Sequence, residues 1–169
     1  SVRTSRSLRA RMSRSKVIVI LGPTSSGKSD LAVKIALGHS HGRGKKVHGE
    51  IISADSRQIY KGLDIGTGKI TKAEMRNVPH HLLDVANPKK QFSVALYKKL
   101  AEKKIEEILA RGKIPILCGG TGFYIDAVTK GIVLPEVPPN KKLRKSLSLL
   151  DGRQLLITLQ KLDKVRARN

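Results

Sequence analysis

Acidic residues are scarce in this chain. Against 34 Lys and Arg stand only 13 Asp and Glu, a net charge of +21 over 169 residues. So one-sided a balance fits a polyanionic partner, most often nucleic acid, or else a generally lysine-rich proteome. Aromatic residues make up 3% and Trp is missing, which argues against gripping single strands by base stacking and favours phosphate contacts on a structured nucleic acid. A single cysteine, Cys118, excludes an internal disulfide and a thiolate metal cluster. Lying in the apolar run Ile114-Pro115-Ile116-Leu117-Cys118, it reads as a buried thiol of a reducing cytoplasm. No apolar run approaches the ~18 residues of a membrane span, so the expectation is a soluble protein without a membrane partner. The 39% hydrophobic content suffices for the core of one domain, or of one domain and a fragment.

What the chain does have is Gly22-Pro23-Thr24-Ser25-Ser26-Gly27-Lys28-Ser29, which fits the P-loop pattern G-x-x-x-x-G-K-[ST]. The β-branched run Lys16 to Leu21 precedes it, and Leu31, Ala32, Ile35 and Ala36 follow at helical spacing, so the loop joins a strand to a helix. Gly22 and Gly27 let the backbone approach an anion, and successive N–H groups at the helix's positive end face the phosphate. Lys28 adds a mobile charge, and the Ser29 hydroxyl is placed to reach Mg2+. The motif reads phosphate oxygens only, so ATP, GTP and a non-nucleotide diphosphate satisfy it equally.

The remaining pattern is α/β: a P-loop NTPase-like parallel sheet with helices on both faces. A helix is expected over Ser29–Leu37 and a strand over Glu50–Ala54, with Asp55 just past the carboxyl end, where open parallel sheets bind ligands. His39 and His41 fall in a solvated Gly/His/basic loop. Gly62 to Lys69 is too glycine-rich for a regular element and reads as a working loop. A short strand lies within Pro79–Val85. Phe92, Leu96, Leu100, Ile105, Ile108 and Leu109 mark the apolar face of a long helix closed by Gly112. The strand Ile114–Cys118 then enters a second glycine turn, Gly119-Gly120-Thr121-Gly122. From Pro135, with Pro138 and Pro139, nine basic and three acidic residues accompany helically spaced leucines from Leu143 to Leu162, the start of a basic helical subdomain. The expected divisions are 1–15, 16–134 and 135–169. Residues 1–16 hold six basic residues and no acidic one, and read as a basic arm, a targeting segment, or translated sequence upstream of a start at Met12.

Gly22 to Ser29, Ile52-Ser53-Ala54-Asp55-Ser56-Arg57-Gln58, Gly66-Thr67-Gly68-Lys69, Val78-Pro79-His80-His81-Leu82, Phe92-Ser93 and Gly119-Gly120-Thr121-Gly122-Phe123-Tyr124 occur in this order. In them the chain resembles the tRNA dimethylallyltransferase family, from about Lys16 to the last residue. The resemblance implies transfer of a prenyl group from dimethylallyl diphosphate to N6 of the adenosine beside the anticodon, by a monomer. It implies a prenyl diphosphate rather than ATP on Gly22–Ser29, with Mg2+ on Ser29. Asp55 would be the base that accepts the amine proton, though a helix cap or an ATPase-like metal ligand would also suit it. Ser56, Arg57 and Gln58 would hold the extruded adenine, Thr121 would sit at the reaction centre and touch the RNA, and Arg144 would contact tRNA unless it is simply a solvated residue beside Lys141, Lys142 and Lys145. Leu159–Asn169 resembles the segment before a His-Pro-Asn stretch, so roughly the second half of the family's length is expected to be absent. An adenylate prenyltransferase, a P-loop small-molecule kinase and a non-catalytic RNA-binding remnant are the competing readings.

Overall fold

The computed structural model describes residues 17–38, 48–133 and 140–168. The basic arm, the His39/His41 loop and the prolines at 135, 138 and 139 lie outside the described residues. The chain divides into two units, residues 1–134 and 135–169.

In the first unit the order is β1 (Ile18–Leu21), α1 (Lys28–Ala36), β2 (Gly49–Ser53), a 3-10 turn (Ile65–Thr67), α2 (Lys72–Met75), β3 (His80–His81), α3 (Val94–Ala110), β4 (Ile114–Gly119) and α4 (Gly122–Thr129). All pairings are parallel, in the order β1-β4-β2-β3. Parallel strands need crossovers, and the helices supply them.

Strand alternation decides which helix covers which face. Ile51, Ile116 and Cys118, flanked by Ile18 and Ile20, meet Ala32, Val33 and Ala36 of α1. The neighbouring residues Ile52, Ala54 and Leu117 point the other way, onto Tyr97, Ala101, Ile105 and Ile108 of α3 and Tyr124, Ile125 and Val128 of α4. With both faces covered, β2 is buried along its whole length, the polar Glu50 and Ser53 included. This is the expected α/β architecture with helices on both faces.

Three local expectations change. The buried stripe of α3 is Tyr97, Ala101, Ile105 and Ile108, and Leu96 is 43% exposed. Ser93 caps the helix by accepting the Leu96 N–H at 3.2 Å; Ile105 and Ile108 are buried as expected and Phe92, Leu100 and Leu109 pack against the same core, but in the first two turns the fully buried positions are Tyr97 and Ala101. The Gly62–Lys69 stretch contains a 3-10 turn. Behind it, α2 is started by a capping box in which Thr71 and Glu74 bond each other's backbone N–H, a Thr-x-x-Glu pattern with a known mechanism.

The second unit, taken by itself, holds α5 (Lys141–Leu147), α6 (Gly152–Leu162) and a 3-10 turn (Arg166–Arg168). Asn140 caps α5 through the Leu143 N–H at 2.9 Å. Asp151 and Gln154 form a capping box on α6. Leu155, Leu156, Leu159 and Leu162 on α6 are exposed. Among the described residues no helix is long and apolar enough to cross a membrane.

Candidate functional site

Parallel pairing puts the carboxyl ends of β1, β4 and β2 side by side, and backbone bonds lace the turns that leave them. Gly22 N–H donates to the Gly119 carbonyl at 3.4 Å, Ala54 N–H to the Cys118 carbonyl at 2.8 Å, and Thr121 N–H to the Ala54 carbonyl at 3.0 Å. The close approach depends on Gly119: a Cβ there would stand 2.3 Å from the carbonyl carbon and oxygen of Ala54. Tyr97 supports this edge from beneath. Its hydroxyl donates to the Ser53 carbonyl at 3.0 Å, and its ring stacks on Tyr124 with centroids 4.0 Å apart. Burial pushes the Tyr97 phenol far up, so it stays a neutral donor.

Two left-handed residues, Ser25 at φ 61° and Gly27 at φ 77°, curl the Gly22–Ser29 loop ahead of α1. Chain reversals of this kind turn successive N–H groups toward a common centre, where an anion is favoured. The Lys28 ammonium folds back over the loop, donating to the Pro23 carbonyl at 2.9 Å. Below, the Cys118 thiol donates to the Lys28 carbonyl at 3.6 Å. Burial pushes that thiol up to about 11 even though Lys28 acts the other way, so it is no nucleophile.

Asp55 opens the segment after β2. Its Oδ1 accepts the N–H groups of Arg57 at 2.9 Å and Gln58 at 3.4 Å, the role of a local cap. Its Oδ2 faces Gly120, whose Cβ, if present, would lie 4.0 Å from it and 3.4 Å from the Gly22 carbonyl. One oxygen of the carboxylate therefore holds the loop, and the other looks across toward the glycine turns. Thr121 ties in the same segment: its Oγ1 accepts Ser56 N–H at 2.9 Å and donates to Ser56 Oγ at 3.2 Å. Burial first, then the nearby Tyr60 and Asp55, raises the Tyr124 phenol.

The residues from Thr24 to Ser29, Asp55, Gln58, Thr67 and Gly68 line a cavity of about 440 Å³. Asp30 and Glu74 also line it, but both are engaged, Asp30 with Lys34 at 2.7 Å and Glu74 with Thr71. Of the sequence-derived candidates, Thr24, Ser25, Ser26, Gly27, Lys28, Ser29, Asp55 and Gln58 reach the cavity. Gly22, Pro23, Ser56 and Thr121 build its frame. Arg57 is bonded into the Asp55 loop through its backbone, and Arg144 lies on α5 in the second unit.

Tyr97 and Lys69 are what sequence reasoning missed. Tyr97 falls four residues after the Ser93 cap on the phase of the buried stripe, a signal available once the cap is recognised. The two histidines of the Val78–Leu82 motif prove to be scaffold. His80 Nδ1 bonds the Val78 carbonyl at 2.8 Å. His81 Nε2 bonds Glu50 at 2.6 Å at the other edge of the sheet.

A parallel sheet with a curled glycine loop after β1, a carboxylate after β2 and a second glycine turn after β4 defines an α/β protein whose candidate site is the carboxyl edge. Comparison with known proteins narrows the class. The IPP transferase family model matches residues 58–169, and the chain belongs to that family. The tRNA dimethylallyltransferase of Thermomicrobium roseum is 45% identical over 141 residues, 83% of this chain and 40% of the relative. That of Anoxybacillus flavithermus is 42% identical over 152 residues, 90% of this chain and 46% of the relative. Among solved structures, the full-length tRNA isopentenylpyrophosphate transferase of Bacillus halodurans superposes with a TM-score of 0.66 at 41% identity, covering 92% of this chain and 50% of that one. A eukaryotic dimethylallyltransferase acting on tRNA gives 0.73 at 32% identity, covering 90% and 37%. The chain thus spans half or less of the length of these relatives.

Proposed function

We propose that this chain carries the diphosphate and base sites of a tRNA dimethylallyltransferase, which moves the dimethylallyl group of dimethylallyl diphosphate to N6 of the adenosine next to the anticodon, position 37. The observation that carries the reading is the lacing of three strand ends, which sets the anion-favouring Gly22–Ser29 loop opposite the Asp55 carboxylate. In the reaction the allylic C–O bond breaks, an N6–C bond forms, and the N6 proton leaves. The loop N–H groups and the Lys28 ammonium stabilise negative charge as it builds on the departing diphosphate. Asp55 Oδ2 takes the proton, while Oδ1 keeps the carboxylate fixed through Arg57 and Gln58. Thr121 holds Ser56 at the mouth, and Ser56, Arg57 and Gln58 retain the base drawn out of its stack. Arg144 and the other basic residues of α5 supply phosphate contacts to the RNA.

Mg2+ fits this site as a shared ion. Ser29 brings a hard oxygen donor to the cavity wall, while no group of three His, Cys, Asp or Glu able to cage a metal occurs among the described residues. That suits an ion held mainly by diphosphate oxygens and water, with Ser29 as its protein ligand. When bound, it neutralises diphosphate charge.

The test is a binding competition on the 169-residue chain among dimethylallyl diphosphate, inorganic diphosphate and ATP, with Lys28→Ala as control. Both diphosphates should bind and lose affinity in the variant. Binding of ATP at micromolar concentration with neither diphosphate binding would return the small-molecule kinase.

A further inference from the structure

Gly68-Lys69 repeats the Gly27-Lys28 pairing of glycine and lysine, and Thr67 and Gly68 line the same cavity. A second phosphate-seeking lysine is the first thought, and its surroundings exclude it. The Lys69 side chain is 6% exposed, with its ammonium 2.6 Å from Asp64 Oδ1 and 2.5 Å from Asp84 Oδ1. It also donates to the Tyr60 carbonyl at 3.1 Å. An ammonium has three hydrogens, and all three are in use. Burial opposes the charge, but the hydrogen bonds to Asp64 and Asp84 outweigh it and raise the Lys69 pKa.

What this clasp holds is Gln58. On one side, the Asp64 carbonyl accepts Lys69 N–H, and Gly68 N–H closes on the Ile65 carbonyl, both at 3.2 Å. The turn so fixed offers the carbonyls of Thr67 and Gly68 to Gln58 Nε2 at 3.3 and 3.1 Å. On the other side, Asp84 N–H donates to the Gln58 carbonyl at 3.3 Å. Carbonyls only accept, so the pair decides which end of the carboxamide is nitrogen. Oε1 is left as an acceptor that takes no hydrogen bond among the described residues.

We infer that Lys69 is a positioning residue: by joining Asp64 to Asp84 it locks the Gln58 carboxamide in one orientation, with Oε1 left to accept from an N–H-bearing base edge in the cavity. The inference rests on the reading of Gln58 as a base-holding residue, and its first test needs no substrate.

In the 169-residue chain, the side-chain amide protons of Gln58 should be dispersed and slow to exchange by NMR. In Lys69→Met they should move to solvent-like positions, while the backbone amides of β1, β2 and β4 stay put. Asp84→Gly should do the same and covers the case in which Lys69→Met does not fold, because Asp84 sits at φ 56°, where glycine is at ease. Gln58 amides unmoved in the folded variants would overturn the inference. So would a loss of diphosphate binding in Lys69→Met equal to that of Lys28→Ala with the Gln58 amides unchanged. In transfer assays on a version of the chain extended to the length of its relatives, both variants should lower kcat on the order of tenfold or more, as remote misplacement does. KM for dimethylallyl diphosphate should hold, and Lys69→Arg should recover part of the rate; in binding, which does not need the transferable amine that hypoxanthine lacks, the preference for tRNA carrying adenine over hypoxanthine at the target should narrow. An unaltered base preference despite released Gln58 amides would overturn the acceptor role. Released amides in the variants beside a parent, extended to the length of its relatives, that transfers nothing would refute the transferase reading and leave the positioning role standing.

Discussion

The two edges of the sheet solve opposite problems with the same strands. At the amino edge Glu50 is 3% exposed and fully engaged by His81 at 2.6 Å, Arg111 at 2.7 Å and Lys113 at 2.8 Å. At the carboxyl edge, among the described residues, Lys28 has only the Pro23 carbonyl and Asp55 Oδ2 has no hydrogen bond, and a cavity stands open between the loops. Saturated charge is scaffold, since a buried carboxylate is tolerated only when paired and hydrogen-bonded. Unsaturated polar groups held rigid by backbone bonds are what a ligand can use. A charged residue in this fold is therefore read by what it still has to offer, and by that measure Lys69 belongs with Glu50 although it lies on the site's side.

The strongest way to break the comparison is Gly119→Ala. A Cβ 2.3 Å from Ala54 forces the turns apart at the carboxyl edge, and we expect on the order of 4 kcal/mol of lost stability, read by denaturant unfolding. Ordinary stability would mean that the close approach is dispensable. Next comes Asp55→Asn in a version extended to the length of the relatives, a change that keeps the shape but cannot take a proton. Transfer should fall at least about a hundredfold, roughly 3 kcal/mol of barrier, with diphosphate binding retained, and an unchanged rate would remove Asp55 as base.

At the amino edge, Glu50→Gln should cost roughly 2–3 kcal/mol and leave diphosphate affinity unaltered. The same cluster is titratable. Burial alone would raise the Glu50 pKa, but its hydrogen bonds to Lys113, His81 and Arg111 prevail and bring it from an ordinary 4.5 to about 2. A depressed carboxylate stabilises fully above its unfolded pKa and loses that contribution as pH falls through the folded one. Unfolding free energy should therefore decline by about 3 kcal/mol between pH 4.5 and 2, and Glu50→Gln should flatten much of that decline. The smallest effect belongs to Tyr97→Phe, which removes one buried bond to Ser53 at about 1 kcal/mol. A thermal midpoint equal to the parent's would show that the stacked ring alone supports the edge.

Much of the carboxyl edge was legible because its signals are local. The run before Gly22, the glycines, and Asp55 at a strand end each announce themselves within a few residues, and parallel topology does the assembling. The amino edge was not legible: Glu50 finds Arg111 and Lys113 about sixty residues away, and nothing near Glu50 forecasts them. Lys69 stayed an unremarked part of a glycine-rich working loop, because the decisive fact, Asp84 fifteen residues on, is a matter of how the loop folds back. On α3 the apolar spacing carried Ile105 and Ile108 but not Tyr97, whose burial rests on its stacking with Tyr124 and its bond to Ser53. The Thr71–Glu74 capping box was also there to be read.

Cys118 has a use of its own. Its thiol is buried between the β4 end and the first turn of α1, and it stays protonated at neutral pH. A thiol reagent can then attack only when α1 lifts from the strand and the thiolate forms, so alkylation kinetics become a clock for the breathing of this seam. Whatever fastens the Gly22–Ser29 loop slows the clock, and the only cysteine in the chain makes the reading unambiguous without any label having to be engineered.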